Sequence, residues 1–296
     1  MTRVGIKFVC GLLMMLALAI ESPRAQQKAG PQGSEEGVIR RQAWLIPAED
    51  RSTLMWTNVF RPPGAGPFPL VVINHGSTYN ALQRAEYRIP EYQTLTEWLV
   101  ARGYAVAVPQ RPGHGKTSGP YYEDQGASCA QPDYRKAGLG AASSIAAVIY
   151  YLRQQPFIQK NGVIAVGQSA GGWGALALAS QHFPPLKAVI AFAPGRGGRV
   201  NGEANHNCAP DRLIETARQF AQTTSIPSLW IYAENDSYFG PDLSRRMADA
   251  YRLAGGRAEY HLLPAVGSDG HNLIHEKDAL PLWAPLVEHF LTKSAN

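Results

Sequence analysis

Three side chains in the second half of the chain have the types and the order that acyl-transfer chemistry needs. Ser169 is the centre of the pentapeptide Gly-Gln-Ser-Ala-Gly over residues 167–171, Asp236 comes later and His271 later still. A serine hydroxyl is a weak nucleophile until a base removes its proton, and a carboxylate must hold that base in the right tautomer. The order serine, acid, histidine therefore predicts a nucleophile, an orienting carboxylate and a general base.

The stretches on either side of the pentapeptide support this interpretation of Ser169. An apolar run over 163–166 leads in, and an alanine- and leucine-rich run over 170–179 leads out. This is the strand, tight turn and helix that a Gly-x-Ser-x-Gly nucleophile requires. In the alternative, the match is accidental and Gly172 and Gly174 only allow the helix to pack closely against a strand. Chance matches rarely carry both flanking elements, so the nucleophile is favoured.

The acid and the base each have competitors. Asp236 follows an apolar strand pattern over 228–233, but Glu234 is nearer the end of that strand, and Asp269 is a third alternative. His271 lies between the last predicted strand and the closing helix, in a loop with two glycines. The other late histidines fall within a strand, a helix or a later loop; they are His261, His275 and His289.

A tetrahedral intermediate needs two backbone N–H donors for its oxyanion. Each donor typically lowers the activation free energy by about 3–4 kcal/mol. One is expected from Ala170, directly after the nucleophile, and the other from Ser77, in the loop after the strand over 70–73. In the alternative, His75 and Gly76 form an ordinary strand-end turn there.

Aromatic and basic residues cluster near the same predicted edge. We expect Tyr79, Trp173 and Tyr238 to line the substrate pocket, because ligand sites are largely apolar, although rim packing is the alternative. Further aromatic candidates are Tyr121, Tyr122 and Phe239. Three arginines could bind a substrate carboxylate or be solvated in loops, and solvation is favoured; they are Arg111, Arg196 and Arg199.

The elements that must position these residues predict an α/β fold. Two strands over 38–46 and 53–60 precede an alternation of buried strands and amphipathic helices. Such alternation predicts a mostly parallel central sheet with helices on both faces, with antiparallel strands only at the N-terminus. Ligands bind at the carboxyl ends of parallel strands, where all the candidate residues fall.

The domain organisation predicted is a single α/β domain over 38–296, in which any lid would be confined to 195–222. Residues 1–25 have the basic start and short apolar run of a cleaved signal peptide, and an uncleaved anchor is the alternative. Residues 26–37 are polar without periodicity, which predicts a disordered leader. Removing the signal leaves Cys129 and Cys208, for which a disulfide is expected and free thiols are the alternative.

Composition excludes several classes of function. Charged residues make up 17% of the 296 residues, and the net charge of +5 is not gathered into any Lys/Arg block, so no nucleic-acid partner is expected. Neither cysteine has metal-ligand spacing, and we expect no metal and no organic cofactor. Stable membrane association after signal cleavage is not expected either, and the oligomeric state stays open.

Taken together, these motifs resemble the α/β-hydrolase superfamily. The resemblance extends over residues 38–292 and is nearest to the dienelactone-hydrolase-like and prolyl-oligopeptidase-like branch. It rests on the motifs His75-Gly76, Gly113-His114-Gly115, Gly167 to Gly172, Glu234 to Asp236 and Gly270-His271. Dienelactone hydrolases carry a cysteine nucleophile, whereas this chain has Ser169, so the resemblance implies a serine esterase rather than that specific reaction.

The sequence therefore predicts a secreted or periplasmic serine hydrolase that cleaves a small-molecule carboxylic ester through an acyl-enzyme on Ser169. A peptidase or amidase using the same triad is the first alternative. A non-catalytic binding protein is the second, and transfer of the acyl group to an acceptor other than water also stays open.

Overall fold

The structure is a computed structural model that describes residues 1–2, 27–126 and 128–295. The predicted signal peptide over 1–25 therefore lies outside the described residues, apart from the first two. Across the described ranges, every helix is too short or too polar to cross a membrane.

The described residues form one sheet of nine strands. These strands are β1 Gly30–Glu36, β2 Arg41–Pro47, β3 Leu54–Phe60, β4 Leu70–Asn74, β5 Ala105–Pro109, β6 Val163–Gln168, β7 Leu186–Phe192, β8 Ser228–Ala233 and β9 Ala258–Leu263. Their order across the sheet is β1-β2-β3-β5-β4-β6-β7-β8-β9. Three neighbouring pairs are antiparallel: β1 with β2, β2 with β3, and β3 with β5. The remaining pairs are parallel. The predicted fold class is confirmed.

Helices cover both faces of the sheet. They are α1 Ala81–Ala85, α2 Gln93–Val100, α3 Tyr134–Leu152, α4 Ala170–Ala179, α5 Pro210–Ala221, α6 Pro241–Leu253 and α7 Leu280–Ala295. Helices α3 to α6 contribute to the core on one face, and α2 and α7 contribute to the core on the other. Three short 3₁₀ turns cover Val200–Gly202, Gly270–Asn272 and Lys277–Ala279.

The central strands are apolar throughout because both of their faces are covered. In β4, Leu70 and Val72 point into the core beneath α3 to α6, whereas Val71 and Ile73 point into the core beneath α2 and α7. The parallel strands end at a common edge. Segments that follow β4, β6, β7, β8 and β9 therefore meet there and build the candidate site.

Two expectations about the domain ends and loops need correction. The disordered leader expected over 26–37 is wrong from Gly30 onward, because Gly30–Glu36 forms the edge strand β1 against β2. An edge strand needs only backbone pairing on one side, so its sequence carries no apolar alternation. In the region proposed for a lid, α5 is a crossover helix whose Leu213 and Phe220 lie in the core, and the residues that line the cavity fall within 195–202.

Candidate active site

Ser169 lies at the sharp turn between β6 and α4. Its backbone has φ 53° and ψ −121°, a strained conformation for a non-glycine residue. The turn also has no room for side chains on its flanking glycines: a Cβ on Gly167 would overlap the backbone of Gly171, and a Cβ on Gly171 would overlap the carbonyl of Asn74. The glycines therefore permit the turn, and the turn presents Ser169 at the sheet edge.

His271 lies in the 3₁₀ turn after β9, and its side chain pairs with that of Asp236, which lies in the loop after β8. His271 Nδ1 lies 3.2 Å from each carboxylate oxygen of Asp236. Asp236 Oδ1 also accepts the backbone N–H groups of Tyr238 at 2.8 Å and Phe239 at 2.9 Å, which fix the carboxylate. Both members of the pair are buried. An Nδ1–H donated to Asp236 leaves Nε2 of the His271 ring free to act as a base.

Ser169 and His271 line the same cavity, which has a volume of about 840 Å³. Among the described residues, the Ser169 hydroxyl makes no hydrogen bond to His271. Catalytic hydrogen bonds are often long in unliganded enzymes and tighten when substrate binds. The structure thus brings the predicted nucleophile and base to one cavity, and the predicted acid is buried against the His271 ring.

The competing acids and bases have other positions. Glu234 is exposed, and Asp269 accepts the backbone N–H of His271 rather than its ring. His261 lies in β9 and His289 is exposed on α7. Asp236 is therefore the carboxylate that contacts the His271 ring.

The two expected oxyanion donors both border the cavity. Ala170 is the first residue of α4, so its N–H has no carbonyl partner within that helix. Ser77 follows β4, and the neighbouring Gly76 lies so close to the nucleophile that a Cβ there would be 3.5 Å from Ser169 Cβ. The loop after β4 therefore lies beside the reacting oxygen.

A chain of hydrogen bonds with a defined direction holds Ser77. His114 Nδ1 is 3.2 Å from the carbonyls of Arg111 and Pro112, which makes Nδ1 the donor and Nε2 the acceptor. The Ser77 hydroxyl then donates to His114 Nε2 at 2.8 Å and accepts from the Tyr121 hydroxyl at 3.1 Å. Burial lowers the pKa of His114 to about 4, so the ring is neutral and can accept.

The arginines expected to be solvated behave differently from one another. Arg111 and Arg196 are buried on either side of Glu123, with Nε–Oε1 2.5 Å for Arg111 and Nη2–Oε2 2.7 Å for Arg196. Burial alone would raise the pKa of Glu123, but the two guanidinium groups outweigh it and hold that pKa at about 2. The solvated-loop interpretation is therefore wrong for these two residues, whereas Arg199 is partly exposed at the cavity.

Two of the three aromatic residues expected in the substrate pocket border the cavity. Tyr79 and Tyr238 line the cavity, and the Tyr238 ring stacks on the His271 ring with centroids 4.2 Å apart. The expectation for Trp173 is wrong: its indole is fully buried and donates to the Tyr134 carbonyl at 2.9 Å. One helical turn beyond Ser169, its side chain faces α3 instead of the sheet edge.

Sequence reasoning missed a second network behind the nucleophile. Gln168 Oε1 accepts from the Tyr92 hydroxyl and from His275 Nε2, each at 3.1 Å, and its Nε2 donates to the His271 carbonyl at 3.0 Å. The amide of Gln168 thereby connects the serine turn to the histidine loop. The only sequence signal was the position of Gln168 next to Ser169.

The predicted disulfide is present between Cys129 and Cys208, whose Cα atoms are 5.0 Å apart. It joins the segment before α3 to the loop before α5. The same two segments carry Glu123 and Arg196, so the covalent bond and the buried ion pair hold the same pair of loops together.

One family model matches more than half of the chain. The family model for X-Pro dipeptidyl-peptidases of the S15 family matches residues 51–215, a range that includes Ser77 and Ser169. No curated protein matches the chain.

Solved structures share the fold at low identity. A protein from Klebsiella pneumoniae assigned as a dienelactone hydrolase is 17% identical with a TM-score of 0.58, over 85% of this chain and 98% of that one. An esterase from Pyrococcus furiosus is 14% identical with a TM-score of 0.61, over 92% and 99%. An acylaminoacyl peptidase from Pyrococcus horikoshii is 14% identical with a TM-score of 0.60, over 89% of this chain but only 42% of that one. These likenesses show an α/β-hydrolase fold.

Proposed function

The chain belongs to the X-Pro dipeptidyl-peptidase (S15) family, and from this premise we propose that it is a serine hydrolase that cleaves carboxylic esters through an acyl-enzyme. Family and fold make it a hydrolase of the esterase or peptidase type. The single observation that carries the serine assignment is the strained turn that presents Ser169 to the cavity lined by His271, whose ring contacts Asp236.

In the proposed first half-reaction, Ser169 Oγ attacks the ester carbonyl while His271 Nε2 takes the hydroxyl proton. Asp236 stabilises the resulting imidazolium and keeps the ring oriented. The backbone N–H groups of Ala170 and Ser77 donate to the oxyanion. Collapse of the tetrahedral intermediate breaks the bond to the alcohol, which takes the proton from His271 and leaves an acyl ester on Ser169.

The second half-reaction repeats these roles with water as the nucleophile. His271 removes a proton from the water, the acyl carbon is attacked, and the second tetrahedral intermediate collapses to the carboxylic acid. His271 returns the proton to Ser169 Oγ. No other co-reactant is needed for the balance of this cycle.

The test is hydrolysis of p-nitrophenyl esters of increasing acyl length by wild type, by Ser169→Ala and by Ser52→Ala. Ser52 is exposed and lies away from the cavity, so it is a matched control for the substitution. We expect kcat to fall by at least about 10³-fold in Ser169→Ala and to stay near wild type in Ser52→Ala. Equal turnover by wild type and Ser169→Ala would show that the nucleophile is a different residue.

A peptidase is the second candidate, and the family match favours it. The discriminating substrates are X-Pro p-nitroanilides with a free amino terminus, measured beside the esters with the same preparations. A kcat/KM for the anilides above that for the best ester, lost in Ser169→Ala, would replace the esterase proposal with the peptidase.

The proposed location is the periplasm or the cell exterior. A stable Cys129–Cys208 disulfide fits an oxidising compartment, and residues 1–25 carry the signal-like pattern. Expression of the full chain should yield a periplasmic protein whose N-terminal sequence starts after Ala19 or Ala25. Recovery of uncleaved protein in the cytoplasm or in the membrane fraction would contradict the proposal.

A further inference from the structure

The charges that line the cavity are unevenly distributed. Three arginines line it, Arg88, Arg196 and Arg199, and Asp269 is the single acidic residue in the lining among the residues that the structure describes. Because this inference concerns the substrate of the same cavity, it rests on the proposed serine-hydrolase function. A charged group in the lining can bind a ligand only where it is not already paired within the protein.

The one carboxylate is already occupied. Asp269 Oδ1 accepts the backbone N–H groups of Ser237 and His271, each at 3.0 Å, and Oδ2 accepts the Ser237 hydroxyl at 2.6 Å. Although partial burial would raise the pKa of Asp269, these hydrogen bonds lower it. The carboxylate therefore stays ionised, and both of its oxygens accept hydrogen bonds from Ser237 or His271. Within the described part of the chain, the cavity lining has no other carboxylate for a substrate ammonium group.

The two buried arginines, Arg111 and Arg196, together carry more positive charge than their shared carboxylate neutralises. Glu123 is shared by Arg111 and Arg196, so one negative charge faces two positive ones. Arg196 is 6% exposed, lines the cavity, and has a buried Nε with no hydrogen-bond partner in the described structure. An uncompensated buried cation is costly, and an anion in the cavity would offset that cost.

Arg199 lies close to the reacting groups. Its Nη1 donates to the Ser237 hydroxyl at 3.2 Å, and its guanidinium carbon is 4.6 Å from the centroid of the Tyr238 ring, which itself stacks on His271. Within the described ranges, neither Arg199 nor the exposed Arg88 has an acidic partner within 4.0 Å. Guanidinium groups held without a carboxylate suit recognition of carboxylate or phosphate.

We infer that the substrate carries a negatively charged group, and that Arg199, with Arg88 and the excess charge at Arg196, recognises it beside the scissile ester. The chemical class is an ester that bears a free carboxylate in its acyl or its alcohol part. A substrate with a free ammonium group, such as a dipeptide amino terminus, meets a cavity of the wrong sign.

The experiment compares kcat/KM for charged esters with kcat/KM for neutral esters of similar size. The acyl-side pair is p-nitrophenyl hemisuccinate and p-nitrophenyl butyrate, and the alcohol-side pair is 4-acetoxybenzoate and phenyl acetate. At low ionic strength, wild type should prefer the anion in at least one pair by about tenfold, the equivalent of one favourable charged contact. The preference should shrink at 0.5 M NaCl because salt screens the charges.

Substitutions of the cavity arginines show which of them cause the preference for anionic esters. Arg199→Gln and Arg88→Gln should each reduce the ratio of anionic to neutral kcat/KM by at least about threefold, and Arg199→Lys, which keeps the charge, should retain more of it than Arg199→Gln. Arg245→Gln is the matched control, because Arg245 is exposed on α6 and does not line the cavity. Thermal melting of each variant verifies folding.

The possible outcomes separate this inference from the proposed function. Neutral-ester turnover that survives Ser169→Ala overturns the serine-hydrolase proposal. Neutral-ester turnover that depends on Ser169, with no anionic preference in either pair, overturns the charge inference alone. A preference that is the same in wild type, Arg199→Gln and Arg88→Gln also overturns it, as does faster cleavage of aminoacyl esters than of either anionic ester.

Discussion

Two buried histidines border the loop that carries Ser77, and both are held in the neutral form. Burial lowers the pKa of His75 well below its usual range, and the positive charge of Arg111 adds to that effect. Burial is also the largest cause of the lowered pKa of His114, although Glu123 opposes it. Neutral rings let His75 Nε2 accept the Arg111 backbone N–H at 3.0 Å and let His114 accept from Ser77.

These histidines predict a loss of stability in acid. The pKa of His114 is about 4 in the folded protein and near 6.5 in the unfolded chain, so between those values the unfolded chain binds more protons. Stability from this group is fully present above pH 6.5 and is lost as the pH falls towards 4, by up to about 3 kcal/mol. His75 adds a loss of the same sign below pH 6.5.

The measurement is the free energy of unfolding in urea at pH 7, 6 and 5. Wild type should lose stability steadily as the pH is lowered. His114→Gln should be less stable at pH 7 but should show a shallower dependence on pH, because the buried titrating ring is gone. The same slope in both proteins would contradict the assignment of the acid sensitivity to His114.

At the scale of elements, the turn between β6 and α4 is fixed by contact with β4. Gly171 lies against the carbonyl of Asn74, the last residue of β4, and Gly172 packs near Pro194 after β7. The nucleophile is therefore positioned by three neighbouring strands and not by its own pentapeptide alone.

This contact predicts a severe effect of Gly171→Ala. The new methyl group would overlap the Asn74 carbonyl, so the helix start must move away from β4. We expect a loss of about 1–3 kcal/mol in unfolding free energy and a fall in kcat of at least about tenfold from misplacement of Ser169. Chemical denaturation and ester kinetics measure the two effects separately.

Gly37→Ala is the control for Gly171→Ala, because it adds the same methyl group at a glycine away from the nucleophile turn. Gly37 has φ 67°, but a Cβ added there would meet no atom within 4 Å, so an alanine reports the cost of backbone strain without overlap. Gly37→Ala should cost about 1 kcal/mol and leave kcat unchanged. Wild-type kcat in Gly171→Ala would show that the turn tolerates the shift.

At the scale of the whole molecule, a covalent bond joins two loops from distant parts of the chain, one of which carries residues that line the cavity. The Cys129–Cys208 disulfide closes a sequence separation of 79 residues. Asn207, next to Cys208, donates through Nδ2 to the carbonyls of Arg196 and Gly198, each at 3.0 Å. The disulfide thus supports the loop that carries Arg196 and Arg199.

Removal of this disulfide should destabilise the protein and disturb substrate binding. Cys129→Ser with Cys208→Ser should lower the free energy of unfolding by about 2–4 kcal/mol, because the unfolded chain gains entropy. KM should rise more than kcat falls, since the Arg196 loop loosens while Ser169 and His271 lie on other segments. Dithiothreitol should reproduce the effect in wild type and have none in the double variant; a KM unchanged in both would show that the loop is held without the disulfide.

Much of the fold was predictable because its signals are local. Buried strands are short apolar runs, helices show apolar periodicity, and the serine turn needs glycines at fixed offsets. The same local signals place Ser169, Asp236 and His271 after strands β6, β8 and β9, so their roles and chain order could be proposed from sequence.

The sequence by itself thus determined the class of fold, the candidate triad and the pairing expected of two cysteines. Only the tertiary structure decided that Trp173 faces α3, that Gly30–Glu36 completes the sheet edge, and that Arg196 is buried beside Glu123. These outcomes depend on which segments meet across the sheet edge. Long-range contacts between irregular loops leave no periodicity in the chain, so burial and charge pairing there follow from packing alone.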